Sequence, residues 1–388
     1  MTSHAISFLN NRRVRDVFWQ VAVFAVVAGL IAYFVRNASD NMAKAGIASG
    51  FDFLGRTAGI ELPFLLTRYT PQSSILALLW AGVVNTMAVA LVAIIAATML
   101  GFVVGIARLS RNWLLSRLAG AYVEVVRNIP VLFFVLFWYF AVIAALPGPR
   151  EAIGIFAVAF LSNRGLTVPT PQASGAFAVA ALVSAIAIAA QIAVAAWARR
   201  RRERTGRGFP LWSSGAVLIA AIPLLAFAAA IAATPWDVPV LRGFNYRGGF
   251  VLIPEFVTLT AALATYGAAF IAEIVRGGIL AVPKGQVEAA RALGLGPGQV
   301  LRLVVIPQAL RVVVPPLTSQ YLNVLKNSSL GAAIGFPELM NVFVGSALNI
   351  TGQAVEIIAI TLAIYLAIGL VVSALMNWYN ARVALVAR

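Results

Sequence analysis

The 388-residue chain has no cysteine, so disulfides, thiolate metal ligands and cysteine nucleophiles are excluded, and cysteine usage says nothing about redox compartment. The single histidine, His4, lies in the polar N-terminal arm, too isolated to build a metal cluster. Lysine occurs only at Lys44, Lys284 and Lys326, and none sits in the Gly-x-x-x-x-Gly-Lys-Ser/Thr loop that cradles nucleotide phosphates. ATP must therefore bind elsewhere, and no cofactor site is read in this chain. An acid-base pair and a nucleophile elbow are missing too, which disfavours a membrane enzyme. Charge is scarce, at 11% of residues against 61% hydrophobic. Ordinary soluble domains are roughly 45–50% apolar, so the bulk composition is that of an integral membrane protein. The net charge of +16 comes mostly from arginines scattered between apolar blocks, with no aromatic-laced basic face, and no nucleic-acid partner is implied.

A helix needs about 20 apolar residues to cross ~30 Å of hydrocarbon, because lipid offers the backbone no hydrogen-bond partner. Stretches 17–35, 80–106, 131–146 (short), 176–198, 212–233, 256–275 and 355–378 qualify. An eighth, 310–326, is diluted by Pro315, Pro316, Ser319, Gln320, Asn323 and Lys326, but it is needed to join the neighbouring loops consistently. The expectation is an all-α integral membrane protein with eight transmembrane helices. The first stretch follows Arg12, Arg13 and Arg15 but is too long for a cleavable signal core, so it reads as a retained anchor. Placing both termini in the cytoplasm puts twenty of the 29 basic residues inside, including the run RRRRERTGR at 199–207, as expected if positive residues resist translocation.

In this orientation, residues 276–310 form a cytoplasmic loop. Lys284-Gly285-Gln286 lead into a short helix, VEAARAL, that places Val287, Ala290 and Leu293/Gly294 on one side and Glu288 and Arg291 on another. Gly294, Gly296, Pro297 and Gly298 then end it, and QVLRLVVIPQALR begins a second helix. Two short helices bent around a glycine would make a compact knob suited to a groove on a soluble partner. A Cβ at residue 294 would strain a positive φ.

The order Glu288-Ala289-Ala290, three residues, Gly294, then an apolar run ending at Pro307 resembles the EAA loop of bacterial ATP-binding-cassette importer permeases. The family's usual Ile-x-Leu-Pro ending is Val304-Val305-Ile306-Pro307 here. GQVEAARALGL, VIPQALR, PPL and KNSSL, with VNTMAVALVAIIAATMLGFVVGIARLSRN and YVEVVRNIPVL in the first half, resemble the polar amino acid (His/Glu/Gln/Arg/opine) branch. That branch more often has Asp-Thr where this chain has Asn327-Ser328. The enlarged layout is most similar to a subunit of the general L-amino acid and glutamate/glutamine/aspartate/asparagine permeases.

The resemblance implies a type I importer permease core of five helices, an added N-terminal helix and an inserted helix pair. Segments follow as 1–79 (anchor and periplasmic loop), 80–146 (first core part), 147–255 (insertion) and 256–388 (second core part). It implies ATPase-coupling roles for Gly285, Glu288, Ala289, Ala290, Gly294 and Pro307. The implied partners are an ATPase dimer that binds ATP and Mg, a second permease subunit, a periplasmic amino-acid-binding protein, an L-amino acid and the lipid bilayer of the bacterial inner membrane. The implied mechanism is alternating access.

Polar side chains inside spans are costly and usually face a cavity or another helix. Ser319, Asn323 and Lys326 share one helical face, with Gln320 and Asn327 beside it, while Asn85, Thr86, Tyr266 and Glu273 lie on other core helices. These are candidates for a solute path, or for helix-to-helix hydrogen bonding. Gly101 and Gly105 form a small-residue packing face, and Gln191 reads as interhelical. The competing class is an ion-coupled secondary amino acid transporter, which needs an acidic residue within the spans; Glu273 is the main candidate and can also pair with Arg276. Loop 36–79, with Asp40, Asp52 and Glu61 among short apolar stretches, fits either interfacial helices that dock a binding protein or simple solvation.

Overall fold

The computed structural model describes residues 12–44, 50–156, 158–172, 175–206, 209–210 and 214–383. His4, Arg207, Arg388 and the start of stretch 212–233 lie outside the described residues, as do the side chains of Arg12, Arg13 and Arg382. The helices are α1 (Arg12–Lys44), α2 (Ile75–Ala107), α3 (Trp113–Asn128), α4 (Val131–Ile143), α5 (Ala176–Thr205), α6 (Ala216–Ala233), α7 (Pro254–Leu280), α8 (Lys284–Ala292), α9 (Pro297–Ile334), α10 (340–351) and α11 (Ala354–Val383). Among the described residues, seven are long and apolar enough to cross a membrane, and α3 with α4 forms a bent pair that counts as an eighth if taken as one span. The break falls at Ile129-Pro130, where proline's missing N–H and the extended preference it imposes on its predecessor end a helix. The stretch expected as a span at 131–146 is the second member of this bent pair.

By internal contacts the chain forms two compact units, one of residues 1–131 and 263–388 and one of residues 132–262. In the first unit, Ala97, Ile271, Val275, Val313 and Leu317 bring α2, the C-terminal part of α7 and α9 into one core cluster. Glycines set the spacing. A Cβ on Gly101 would come within 2.6 Å of Ile271, and one on Gly105 within 2.8 Å of the Ala272 carbonyl. These two residues therefore act as a close-packing face, as van der Waals association in lipid requires. A second cluster joins Phe53, Ile75, Leu78, Leu339, Phe343 and Ile357. Here segment 50–74 is an irregular cap with one short 3-10 turn, Asp52–Gly55, rather than a set of interfacial helices. Buried Phe53 and the Tyr69 hydroxyl, which donates to the Ile60 carbonyl at 2.7 Å, hold it closed.

The second unit holds α5 and α6 packed along each other through small buried residues such as Ala180, Ala187 and Ala230. Gln191 is buried within the pair, its side-chain amide beside Gly215. Around the pair the mostly helical fold also carries a small antiparallel platform. Strands β1 (Ile153–Ile155), β2 (Ala159–Ser162), β3 (Gly165–Val168) and β8 (Phe250–Leu252) form a four-stranded sheet in the order β1-β2-β3-β8. Two-stranded ribbons are made by β4 (Thr170–Pro171) with β5 (Trp236–Asp237), and by β6 (Val240–Arg242) with β7 (Asn245–Arg247). The strands are two to four residues long, too short for an alternating apolar pattern to stand out from the surrounding sequence.

Candidate functional site

The loop between α7 and α9 builds an elbow. In α8, Ala290 is buried and Val287 half-buried, whereas Gly285, Glu288, Ala289, Ala292 and Leu293 are exposed at the i, i+3, i+4, i+7, i+8 spacing of one helical face. Leu293 is 83% exposed, so it belongs to the outward face rather than to the inner side expected with Val287 and Ala290. The reason is its place as the C-cap, where the backbone leaves the helix. Gly294 follows with φ +79°. Its N–H donates to the Arg291 carbonyl at 2.9 Å and that of Leu295 to Ala290 at 3.2 Å, the paired bonds of a helix terminated by a left-handed residue. The Gly296 N–H donates to Gln299 Oε1 at 3.0 Å and starts the next helix.

That next helix is not a second short one. It runs on from Pro297 to Ile334 as α9, so the knob is one short helix and an elbow set on the end of a span. Pro307 lies exposed in its early turns, preceded by a wider helical turn at Leu301–Val305, which absorbs the hydrogen bond proline cannot make.

The remaining candidates fall into three groups. Asn85 and Thr86 are fully buried and serve packing. Asn85 Nδ2 donates to the Pro337 carbonyl at 2.8 Å, and Thr86 Oγ1 accepts from the Leu339 N–H at 3.0 Å. Both bonds pin the segment entering α10. Beside them sits Glu338, 0% exposed and not anticipated from the sequence. Its carboxylate accepts from the N–H groups of Met340 and Asn341 at 2.8 and 2.7 Å and from the Tyr365 hydroxyl at 2.9 Å, capping the start of α10. Burial pushes its carboxyl up to about 7, opposed by these three donors. The string Phe336-Pro337-Glu338 just ahead of an apolar helix was the available signal.

Glu273 forms the second group. It accepts from Arg276 at 2.6 Å and from Arg108; the Arg108 partner, on the loop ending α2, was not foreseen. The third group is the polar face of α9, where Ser319, Asn323 and Lys326 are all exposed while neighbouring Gln320 is buried and Asn327 half-buried. Tyr266 is half-buried with its ring 5.1 Å from Phe270. The candidate path residues thus fall into separate groups, with Asn85 and Thr86 buried, Glu273 ion-paired and the face of α9 exposed. No group of three or more His, Cys, Asp or Glu side chains able to hold a metal ion occurs among the described residues.

With this geometry in view, comparison with known proteins is specific. Residues 191–385 match the family described as binding-protein-dependent transport system inner membrane component. Over 384 residues the chain is 49% identical to a putative amino-acid ABC transporter permease protein, YhdX, of Escherichia coli (strain K12), covering 99% of this chain and 98% of that one. It is 46% identical to the general L-amino acid transport system permease protein AapQ of Rhizobium johnstonii (strain DSM 114642 / LMG 32736 / 3841), covering 98% and 95% respectively. A crystal structure of an amino acid ABC transporter with histidines aligns at a TM-score of 0.48 and 20% identity over 79% of this chain and 94% of that one. The chain belongs to the family of inner-membrane components of binding-protein-dependent transport systems. It is a multi-pass membrane protein and a permease subunit.

Proposed function

We propose that this chain is the membrane-spanning subunit of an importer for L-amino acids, driven by a separate ATPase dimer and supplied by a periplasmic binding protein. The observation that carries the reading is the exposed face of α8, Gly285-Glu288-Ala289-Ala292-Leu293, held by the left-handed elbow at Gly294. An exposed apolar leucine on a short charged helix is surface that a soluble partner can cover. Ala290, buried on the opposite side of α8, anchors it, and Pro307 is assigned to the same coupling segment. Relatives named as amino-acid permeases support the solute class. The glutamine permeases GlnP and GlnM of Bacillus subtilis (strain 168) support a second permease chain. Both termini are assigned to the cytoplasm, on the side of α8, from the distribution of arginines.

In the proposed cycle, closure of the ATPase pair on ATP pushes α8. Because α8 lies between α7 and α9, which share a core cluster with α2, and α2 meets α7 closely at Gly101 and Gly105, the push moves the three as a lever and opens the path outward. The polar face Ser319, Asn323 and Lys326 is assigned to the solute path, formed against the second permease chain, with Tyr266 as a further candidate. Asn85 and Thr86 then position the outer segment, and Glu273 latches α2 to α7. Segments 80–146 and 256–388 form the core, with 147–255 inserted between them. The ion-coupled alternative needs a span carboxylate free to bind a cation, and its main candidate from the sequence, Glu273, is instead engaged by two arginines.

The test is replacement of Glu288 or Leu293 by residues that leave α8 helical, Glu288→Ala and Leu293→Gln, followed by copurification of the ATPase and ATP-dependent uptake. The reading expects both to fall by at least about tenfold, the loss of roughly 1.4 kcal/mol of docking energy. Full association and uptake in well-expressed variants would refute it.

A further inference from the structure

Within the 132–262 unit the strands line a half-open cavity of about 300 Å³, with Arg164 and Asn245 at its exposed rim. Ser162, Arg164, Thr167, Asn245 and Tyr246 supply its polar walls, and Pro149 and Val251 an apolar floor. Its construction starts at the turn between β2 and β3. Ser162 pairs with Gly165, which takes φ +101° and lies against the backbone of β8, so the turn is two residues long and Arg164 stands at its tip. The hairpin β6–β7 is then tied to this sheet at three places. Phe160 stacks on Tyr246 with centroids 4.3 Å apart, Arg164 donates to Asn245 Oδ1, and Arg150 lies over the Phe244 ring at 4.2 Å.

The lining is rich in donors. A guanidinium carries five N–H groups, of which Asn245 takes one, and the Asn245 oxygen so used leaves its NH2 free to donate. Ser162 and Thr167 are 4% and 6% exposed, and Ser162 Oγ accepts from the Arg164 N–H, which leaves its own O–H to donate into the cavity. No carboxylate stands among the lining residues. Of the two acids on the platform, Asp237 accepts from the Gly249 N–H in the turn before β8, and Glu151 lies exposed outside the cavity. A permanent cation faced by neutral donors and no acid favours an oxyanion, which a guanidinium holds by paired hydrogen bonds. A ligand's ammonium group would find no counter-charge there.

We propose that this cavity is a binding site for a small oxyanion, a dicarboxylate or phosphate, separate from the path of the transported solute. Arg164 is the charged anchor, Asn245 both positions it and donates, and Ser162 and Thr167 complete the donor set. The site stands on the geometry of the inserted platform alone and is independent of the import reading.

The experiment uses the full chain with its copurified subunits in phosphatidylcholine nanodiscs, and follows 13C-succinate by saturation-transfer NMR, with inorganic phosphate and L-arginine as competitors. Saturable succinate binding is expected, competed by phosphate but not by L-arginine. Arg164→Gln and Asn245→Asp should each weaken it at least tenfold, the second by placing a carboxylate in the cavity. Arg242→Gln, which removes a cation from the same platform outside the cavity, should leave it unchanged. Absence of saturable binding by either oxyanion, equal competition by L-arginine, or equal sensitivity to Arg164→Gln and Arg242→Gln would overturn the proposal. Uptake measured in parallel reports on the import reading separately.

Discussion

At Gly294 the backbone sits at φ +79° with nothing within 4 Å of where a Cβ would go, so conformation alone resists substitution. Gly294→Ala should cost about 1–2 kcal/mol of local stability, loosening the elbow without unfolding the spans. The expected result is lower ATPase copurification at unchanged expression. Thr86 is a different kind of residue, since its hydroxyl satisfies the buried N–H of Leu339. Thr86→Val orphans that donor and should destabilise the protein by about 1–3 kcal/mol, read as a lower Tm. Glu338 makes stability depend on pH. Its folded-state pKa, about 7, lies above the ordinary 4.5, so the folded protein binds more protons in that window and stability falls as pH rises from 4.5 to 7, then levels off. The gap corresponds to roughly 3 kcal/mol at most. Glu338→Gln should flatten the dependence of Tm on pH between 5 and 7; an unchanged slope would show that Glu338 is not its source.

Among the elements, α9 carries the most. Its buried side, Val313, Leu317, Gln320 and Val324, packs on the core, and the other side leaves Ser319, Asn323 and Lys326 exposed in a span. Exposed polar groups at membrane depth are expensive unless another chain or water meets them. Asn323→Leu should therefore reduce uptake at least about tenfold, worth roughly 1.4 kcal/mol, with expression and ATPase copurification retained. Losing the permease complex instead would mean that the stripe only packs. The half-buried set Arg108, Glu273 and Arg276 joins the ends of α2 and α7. Arg108→Ala should destabilise by on the order of 2 kcal/mol, between exposed and buried pairs, and a double-mutant cycle with Glu273→Gln should show coupling. The spacing of Ser319, Asn323 and Lys326 was legible because a helical face depends only on period. The direction of that face was not, because hydropathy cannot say which side of a helix meets its own chain. Likewise, Glu273 was visible as an acid near a span end with Arg276 three residues on, but Arg108 is distant in sequence and its pairing required the fold.

For the whole molecule, apolar runs long enough to cross lipid outline the membrane protein from the sequence alone, since that signal is set by the bilayer. What escaped was held by tertiary contact: the buried Glu338 cap, the irregular segment 50–74 and the short-stranded platform. In the EAA-like string the short helix and its glycine stop were legible because they are consecutive in the chain, whereas the outward turn of Leu293 and the run of the next helix on to Ile334 were not.

The central proposal is that this chain transmits force from an ATP-consuming partner. The most direct measurement is amino acid uptake into proteoliposomes containing this chain and its copurified permease and ATPase subunits, with binding protein added outside and ATP enclosed. The account predicts uptake that requires ATP and persists when a protonophore dissipates the proton gradient. Uptake by the chain without the ATPase, or its immediate collapse on adding the protonophore while ATP remains high, would contradict it.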